Sequence, residues 1–150
     1  MRLAEIEADL AKLPLVSRKR VLYGEVDKMN FVYASHYLTW FEQGRNEYLR
    51  LCGTPYTQME ADGLALPVVE AHVWYVAPVH YDDLLDIRCA ITACSKTTAT
   101  FLFSIEKDGE RVAAGSTRHA CLDAARKPVH VPDWLQQQAL ARYDISLDPA

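Results

Sequence analysis

The stretch "YGEVDKMNFVYASHYLTWFEQGR", Tyr23 to Arg45, places two acids at the close of an apolar run and just before a long aromatic segment. From Ser35 onward it reads as a helix. Ser35 suits the N-cap, and Gly53 suits a helix end after Cys52. Tyr37, Leu38, Trp40, Phe41, Gly44, Tyr48, Leu49 and Leu51 spread apolar surface around most of the circumference. A helix so apolar on all sides is enclosed by other elements. Gly44 in its interior costs about 1 kcal/mol against alanine, which close packing with a neighbour would offset.

Upstream, Leu3, Ile6, Leu10 and Leu13 recur at helical spacing until Pro14, which predicts a short amphipathic helix over 2–13. "LVSRKRVLYGEV" (15–26) is strand-like and leads into the loop "DKMNFVY". Downstream the pattern becomes β-branched or alternating in "LALPVVEAHVWYVAPV", "LLDIRCAITACS", "TATFLFSIEK" and "RVAAGSTRHACLD". "KDGE" (107–110) is a hairpin turn signal because Asp-Gly accepts positive φ, and "SKTT" (95–98) reads as a second turn. "PDWLQQQALARY" predicts a closing helix over 133–143, capped by Asp133. The order implies an α+β fold with a mostly antiparallel sheet wrapped around one long central helix. A single sheet covered this way keeps free edges, which pairing with a second copy would close.

The chain has 150 residues, half of them hydrophobic, and a net charge of -4. That length suits one domain over 1–150. The charge offers no basic field for nucleic acid or an anionic membrane surface. No apolar run nears the ~20 residues of a membrane span, and acids interrupt the N-terminus where a secretory signal needs an apolar core. Cys52, Cys89, Cys94 and Cys121 form no CxxC pair and lie in apolar surroundings, as reduced thiols of a cytoplasmic protein do. His72 with His80, and His119 with Cys121, do not complete a ligand set, so no metal site is expected.

"YGEVDKMNFVYASHYLTWFEQGRNEYLRLCG" resembles the signature of the 4-hydroxybenzoyl-CoA thioesterase-like acyl-CoA thioesterases, which have the hotdog fold. "LPVVEAHVWYVAPVHYDDLLDI" resembles that family's second strand and following turn. The resemblance covers about residues 16–123. It implies hydrolysis of an acyl-CoA thioester, with Asp27 as the catalytic carboxylate and Glu25 as a non-catalytic companion. It also implies that a main-chain N–H at Ala34 polarises the thioester carbonyl. Three positions depart from the family pattern: Asn30 stands for a glycine, Ala34 for a histidine or aromatic residue, and His36 for an asparagine or serine.

The chemistry is consistent with those residue types. A helix start carries unpaired N–H groups and the positive end of the helix dipole, which stabilise charge growing on a carbonyl oxygen. Asp27 supplies either a nucleophile or a base for water, and a thiolate leaves without a dedicated acid. His36 either bonds to the loop or holds Asp27 or a water. The structural alternative for Asp27 is a loop acid that caps a helix or pairs with Lys28, Arg18 or Lys19. Glu42 with Arg45, and Glu47 with Arg50, have the i,i+3 spacing of helix-face ion pairs. Trp74, Tyr75 and Phe101 read as core.

Tyr33 is a candidate substrate-binding residue. By analogy with related thioesterases, Lys96 and less directly Arg118 would meet the nucleotide end of the coenzyme. No cofactor is expected beyond the coenzyme A of the substrate. Thioesters of acyl carrier protein are also candidate substrates, and a dimer or tetramer is the expected assembly. The rivals are a hotdog dehydratase or hydratase on acyl thioesters, and a non-catalytic acyl-binding module.

Overall fold

The computed structural model describes residues 1–141. The elements run α1 (Leu3–Leu10), β1 (Leu15–Arg20), a 3-10 turn (Tyr23–Glu25), α2 (His36–Leu51), α3 (Tyr56–Ala61), β2 (Val68–Tyr75), β3 (Leu84–Cys94), β4 (Thr98–Lys107), β5 (Glu110–Ala120) and α4 (Asp133–Ala141). The five strands form one antiparallel sheet in the order β1-β3-β4-β5-β2.

The sheet curves around α2. Tyr37, Trp40, Phe41, Gly44, Tyr48 and Leu49 of that helix are buried, against Ile87, Cys89, Ile91, Phe101, Phe103 and Ile105 of the strands. The rings of Phe41 and Phe103 stack at 4.5 Å. Gly44 is where helix and sheet come closest, since a Cβ there would stand 2.7 Å from Ile87 Cγ2. That contact is the packing reason for a glycine in mid-helix.

The turns follow their chemistry. Asp108 and Gly109 both take positive φ between β4 and β5, which is the two-residue hairpin that Asp-Gly favours. Ser95 donates its amide to Thr98 O at 2.9 Å and closes the β3–β4 hairpin. Gly53, at φ 96°, ends α2, and Thr54 N reaches back to Leu49 O at 3.1 Å.

Three expectations need correction. The first helix stops at Leu10, where Ala11 and Lys12 turn so that Leu15 can enter the sheet. Ser35 holds the position before α2 but is already helical, at φ -70° and ψ -20°, and makes no side-chain cap bond. Asp133 lies inside the first turn of α4, whose leading amides bond to Pro132 O. The short helix α3 was not anticipated. Positions 142–143 of the expected closing helix lie outside the described residues.

Strand β2 is an open edge. Val68 and Val69 are about half exposed, at 49% and 52%, and no residue of the strand is fully buried. Among the described residues no helix is long and apolar enough to cross a membrane.

Candidate active site

Asp27 opens a tight loop between Val26 and Val32, which face each other as an isolated antiparallel bridge. Its own carboxylate shapes that loop. Oδ1 accepts from Met29 N at 2.8 Å and from Phe31 N at 3.3 Å, while Asp27 N donates to Phe31 O at 2.9 Å. Among the described residues no donor meets Oδ2, and Asp27 joins no ion pair. Of the candidate salt partners, Arg18 sits on Asp86 and Lys19 on Glu25, while Lys28 lines the same cleft as Asp27 without an ion pair to it. The acid therefore has one oxygen fixed and one open, and it lines a 770 Å³ cleft with Tyr23, Val26, Lys28, Asn30 and Tyr81.

Asn30 explains how the loop dispenses with glycine. It sits at φ 62°, in the left-handed region that asparagine tolerates better than most side chains. Its main-chain and side-chain oxygens then clamp the loop onto the β2–β3 connection. The His80 ring nitrogen Nδ1 lies 2.7 Å from Asn30 O, and Tyr81 N donates to Asn30 Oδ1 at 3.2 Å. A carbonyl only accepts, so Nδ1 carries the proton. Val32 N adds a bond to Val79 O at 3.0 Å.

Glu25, two residues before the acid, is a structural hub. Oε1 accepts from Leu22 N at 2.7 Å and faces Lys19 Nζ at 3.1 Å, and Oε2 accepts from the Trp40 indole at 2.9 Å. Burial opposes its ionisation, but the Leu22 amide, the indole and Lys19 outweigh that and hold its pKa below the ordinary value. Through Glu25 the strand β1, the 3-10 turn and α2 are fixed to one another.

The start of α2 presents free donors. His36 N donates to Tyr33 O at 3.1 Å, so the Ala34 N–H, on the other side of the same planar peptide, points away from the helix. Among the described residues neither the Ala34 nor the Ser35 N–H has an acceptor. Tyr75 of β2, expected in the core, is exposed instead. Its hydroxyl donates to Ala34 O at 2.9 Å and orients the next peptide. Beside it, Phe31, Val32, Tyr37 and residues 75–79 line a separate 320 Å³ hollow. Tyr33 is exposed, with its ring edge-on to His36 at 6.4 Å. The His36 ring makes no hydrogen bond to Asp27.

The start of α2, which carries Tyr33, Ala34 and His36, is joined to the Asp27 segment at one corner by the Tyr33 N to Glu25 O bond of 3.0 Å, although none of the three lines the Asp27 cleft. Lys96 and Arg118 lie elsewhere. Lys96 lies in the β3–β4 hairpin, at the opposite end of β3 from the Asp27 loop. The 11 residues of β3 extend over roughly 35 Å. Arg118, near that far end of β5, is held by Glu70 at 2.7 Å. Sequence reasoning missed Tyr75, Asn30 and His80 as parts of the corner. Only Asn30 left a signal, as a turn-favouring residue in "KMNF".

The helix-face pairs divide. Arg50 meets Glu47 at 3.4 Å, whereas Glu42 and Arg45 do not pair. His119 is fully buried between Leu66 O and Thr117 Oγ1, each 2.8 Å away. Burial, and secondarily the charge of Arg45, lowers its pKa to about 4, so it is neutral. Among the described residues no three His, Cys, Asp or Glu side chains cluster as metal ligands would.

A curved antiparallel sheet closed around one long helix, with this signature at the helix start, defines a thioesterase of the hotdog fold. Residues 21–139 match the model of the Thioesterase-like superfamily, and the chain belongs to that family. It is 30% identical over 115 residues to the acyl-CoA thioesterase YbgC of Haemophilus influenzae, across 75% of this chain and 85% of that protein. It is 27% identical over 135 residues to a 1,4-dihydroxy-2-naphthoyl-CoA hydrolase of a Synechococcus species, across 83% and 91%. Among solved structures, the DHNA-CoA thioesterase of Staphylococcus aureus superposes with a TM-score of 0.75 at 28% identity, covering 83% of this chain and 87% of that one.

Proposed function

We propose that this protein hydrolyses an acyl-CoA thioester to a free acid and coenzyme A. One observation carries the reading: Asp27 keeps an open carboxylate oxygen on a cleft, on the loop that leads into the unpaired amides at the start of α2. The Ala34 N–H, with Ser35 beside it, polarises the carbonyl and stabilises the oxyanion. Asp27 then either attacks the carbonyl carbon, giving a mixed anhydride that water cleaves, or takes a proton from the attacking water. In both routes the C–S bond breaks and the sulfur leaves as a thiolate, which picks up a proton from solvent. The reaction needs no further cofactor.

Tyr33, exposed beside the amides, contacts the acyl or pantetheine portion, and His36 orients the helix start rather than Asp27. Lys96 and Arg118 are too far from Asp27 in their own chain to share its substrate. Two copies paired antiparallel along β2 would exchange ends, bringing the Lys96 end of one sheet beside the Asp27 corner of the other. We therefore assign their nucleotide contacts to a second copy in a dimer or larger assembly. Four free cysteines suit a reducing, cytoplasmic setting.

Thiol release from short, long and aromatic acyl-CoAs tests the activity, with Asp27→Asn as control. Thioesters of acyl carrier protein, run in parallel, separate the two carriers. Hydration of an enoyl thioester without thiol release would overturn the assignment.

A further inference from the structure

Arg45 of α2 is a half-buried charge without a partner among the described residues. Its guanidinium makes no hydrogen bond and no ion pair to any of them. Glu42, one turn earlier on the same face, is also unpaired. Both line a 350 Å³ groove between α2 and the inner face of β2, with Leu38, Val68, Ala71 and Thr117. Burial draws the Arg45 pKa below its ordinary value, and Cys89, Glu42 and Tyr56 offset this only in part. An arginine held this way lacks an acceptor, and a carboxylate three residues away lacks a donor.

The positions of the two charges suit a second copy of this chain. Helix α2 runs from His36 to Leu51, so its midpoint falls between Gln43 and Gly44. Glu42 and Arg45 stand symmetrically on either side of that point. A two-fold axis there lays two α2 helices antiparallel and sets Glu42 of each copy opposite Arg45 of the other. Two-fold contacts are self-complementary in this reciprocal manner. The same operation directs the open β2 edges, with Val68 and Val69 exposed, toward each other. A small anion fits less well, because Glu42 in the same groove would repel it.

We propose that Glu42 and Arg45 form two reciprocal ion pairs between copies of this chain, across the groove beside β2. The inference deepens the self-association proposed above and rests on it. Buried charge pairs of this kind select a partner by penalising the wrong one.

Charge reversal tests it. Glu42→Arg alone and Arg45→Glu alone each oppose like charges twice, and each is expected to weaken dimerisation by roughly 100-fold or more in sedimentation equilibrium. Mixing the two variants sets the two basic positions of one chain against the two acidic positions of the other, so a mixed dimer returns. A pairing within one helix would show no such complementation. If a single variant fails to fold, the doubly reversed chain serves instead. It is expected to dimerise with itself and to refuse subunit exchange with the parent protein. Free exchange between them, or single variants that dimerise as tightly as the parent, overturns the proposal. A parent protein that stays monomeric at every concentration overturns self-association as well, whereas loss of thiol release alone touches only the hydrolytic reading.

Discussion

The indole N–H of Trp40 donates to Glu25 Oε2 at 2.9 Å, joining the second turn of α2 to the residue two before the candidate catalytic acid. The same carboxylate holds Lys19 and the Leu22 amide, so three elements meet on one side chain. Glu25→Gln keeps the shape but loses the charge, with an expected cost on the order of 2 kcal/mol near neutral pH. The Glu25 carboxyl titrates below its ordinary 4.5 when folded, so its stabilisation is present above that value and fades as pH falls through the folded pKa. Denaturant unfolding from pH 7 to pH 3 should show parent and variant converging at the acid end. A constant gap throughout would remove the charge from the explanation.

Asp27→Asn retains an oxygen in place of Oδ1, so the Met29 and Phe31 amides keep their acceptor and the loop its shape. The variant should fold as the parent does, with thiol release reduced by roughly 10²–10⁴-fold, the usual contribution of a positioned carboxylate. Near-parental turnover on any good substrate would return Asp27 to the role of a loop brace.

His119 sets a second acid limit. Folded, it stays neutral down to about pH 4, against an ordinary 6.5. Between those values the unfolded chain binds a proton that the folded chain refuses, so stability drops as pH falls from 6.5 toward 4. His119→Gln has nothing to titrate there. Its melting temperature is lower at pH 7 but should decline less over that interval. An equal decline in both proteins would mean that His119 is not the group responsible.

Two glycines separate helical propensity from packing. Alanine at Gly44 gains about 1 kcal/mol of propensity, yet its Cβ meets Ile87 Cγ2 at 2.7 Å, a stiff β-branched stem in the core. At Gly115 a Cβ would run into the Phe41 ring and approach His72 O at 2.9 Å. Overpacking costs typically ~1–3 kcal/mol, so Gly44→Ala should be mildly destabilising and Gly115→Ala distinctly worse. Equilibrium urea unfolding ranks them, and a stabilised Gly44→Ala would show that α2 can shift outward cheaply.

What was legible in the sequence is what rests on local periodicity or turn chemistry. The aromatic residues of α2 announced a helix packed into the sheet, although Leu38 and Leu51, counted toward enclosure on all sides, are exposed, and Asp108-Gly109 announced its hairpin. The six residues of α3 are too few to show a period. The role of Glu25 was hidden because its partners lie six residues upstream and fifteen downstream, a relation only the fold creates. Glu42 and Arg45 have the spacing of a helix-face pair, yet they stay apart beside the groove next to β2, which no spacing rule describes. Lys96 and Asp27 are each plausible alone, but the length of β3 keeps them from acting together within one chain.

Tyr75 belongs to the unfinished border of the sheet and also tethers the peptide that follows Ala34. Any strand added along that border would brace the tether from the other side and stiffen the donors at the helix start. In the proposed dimer, assembly and reactivity would share a single point of support, and dilution that parts the copies should slow turnover while every chain remains folded.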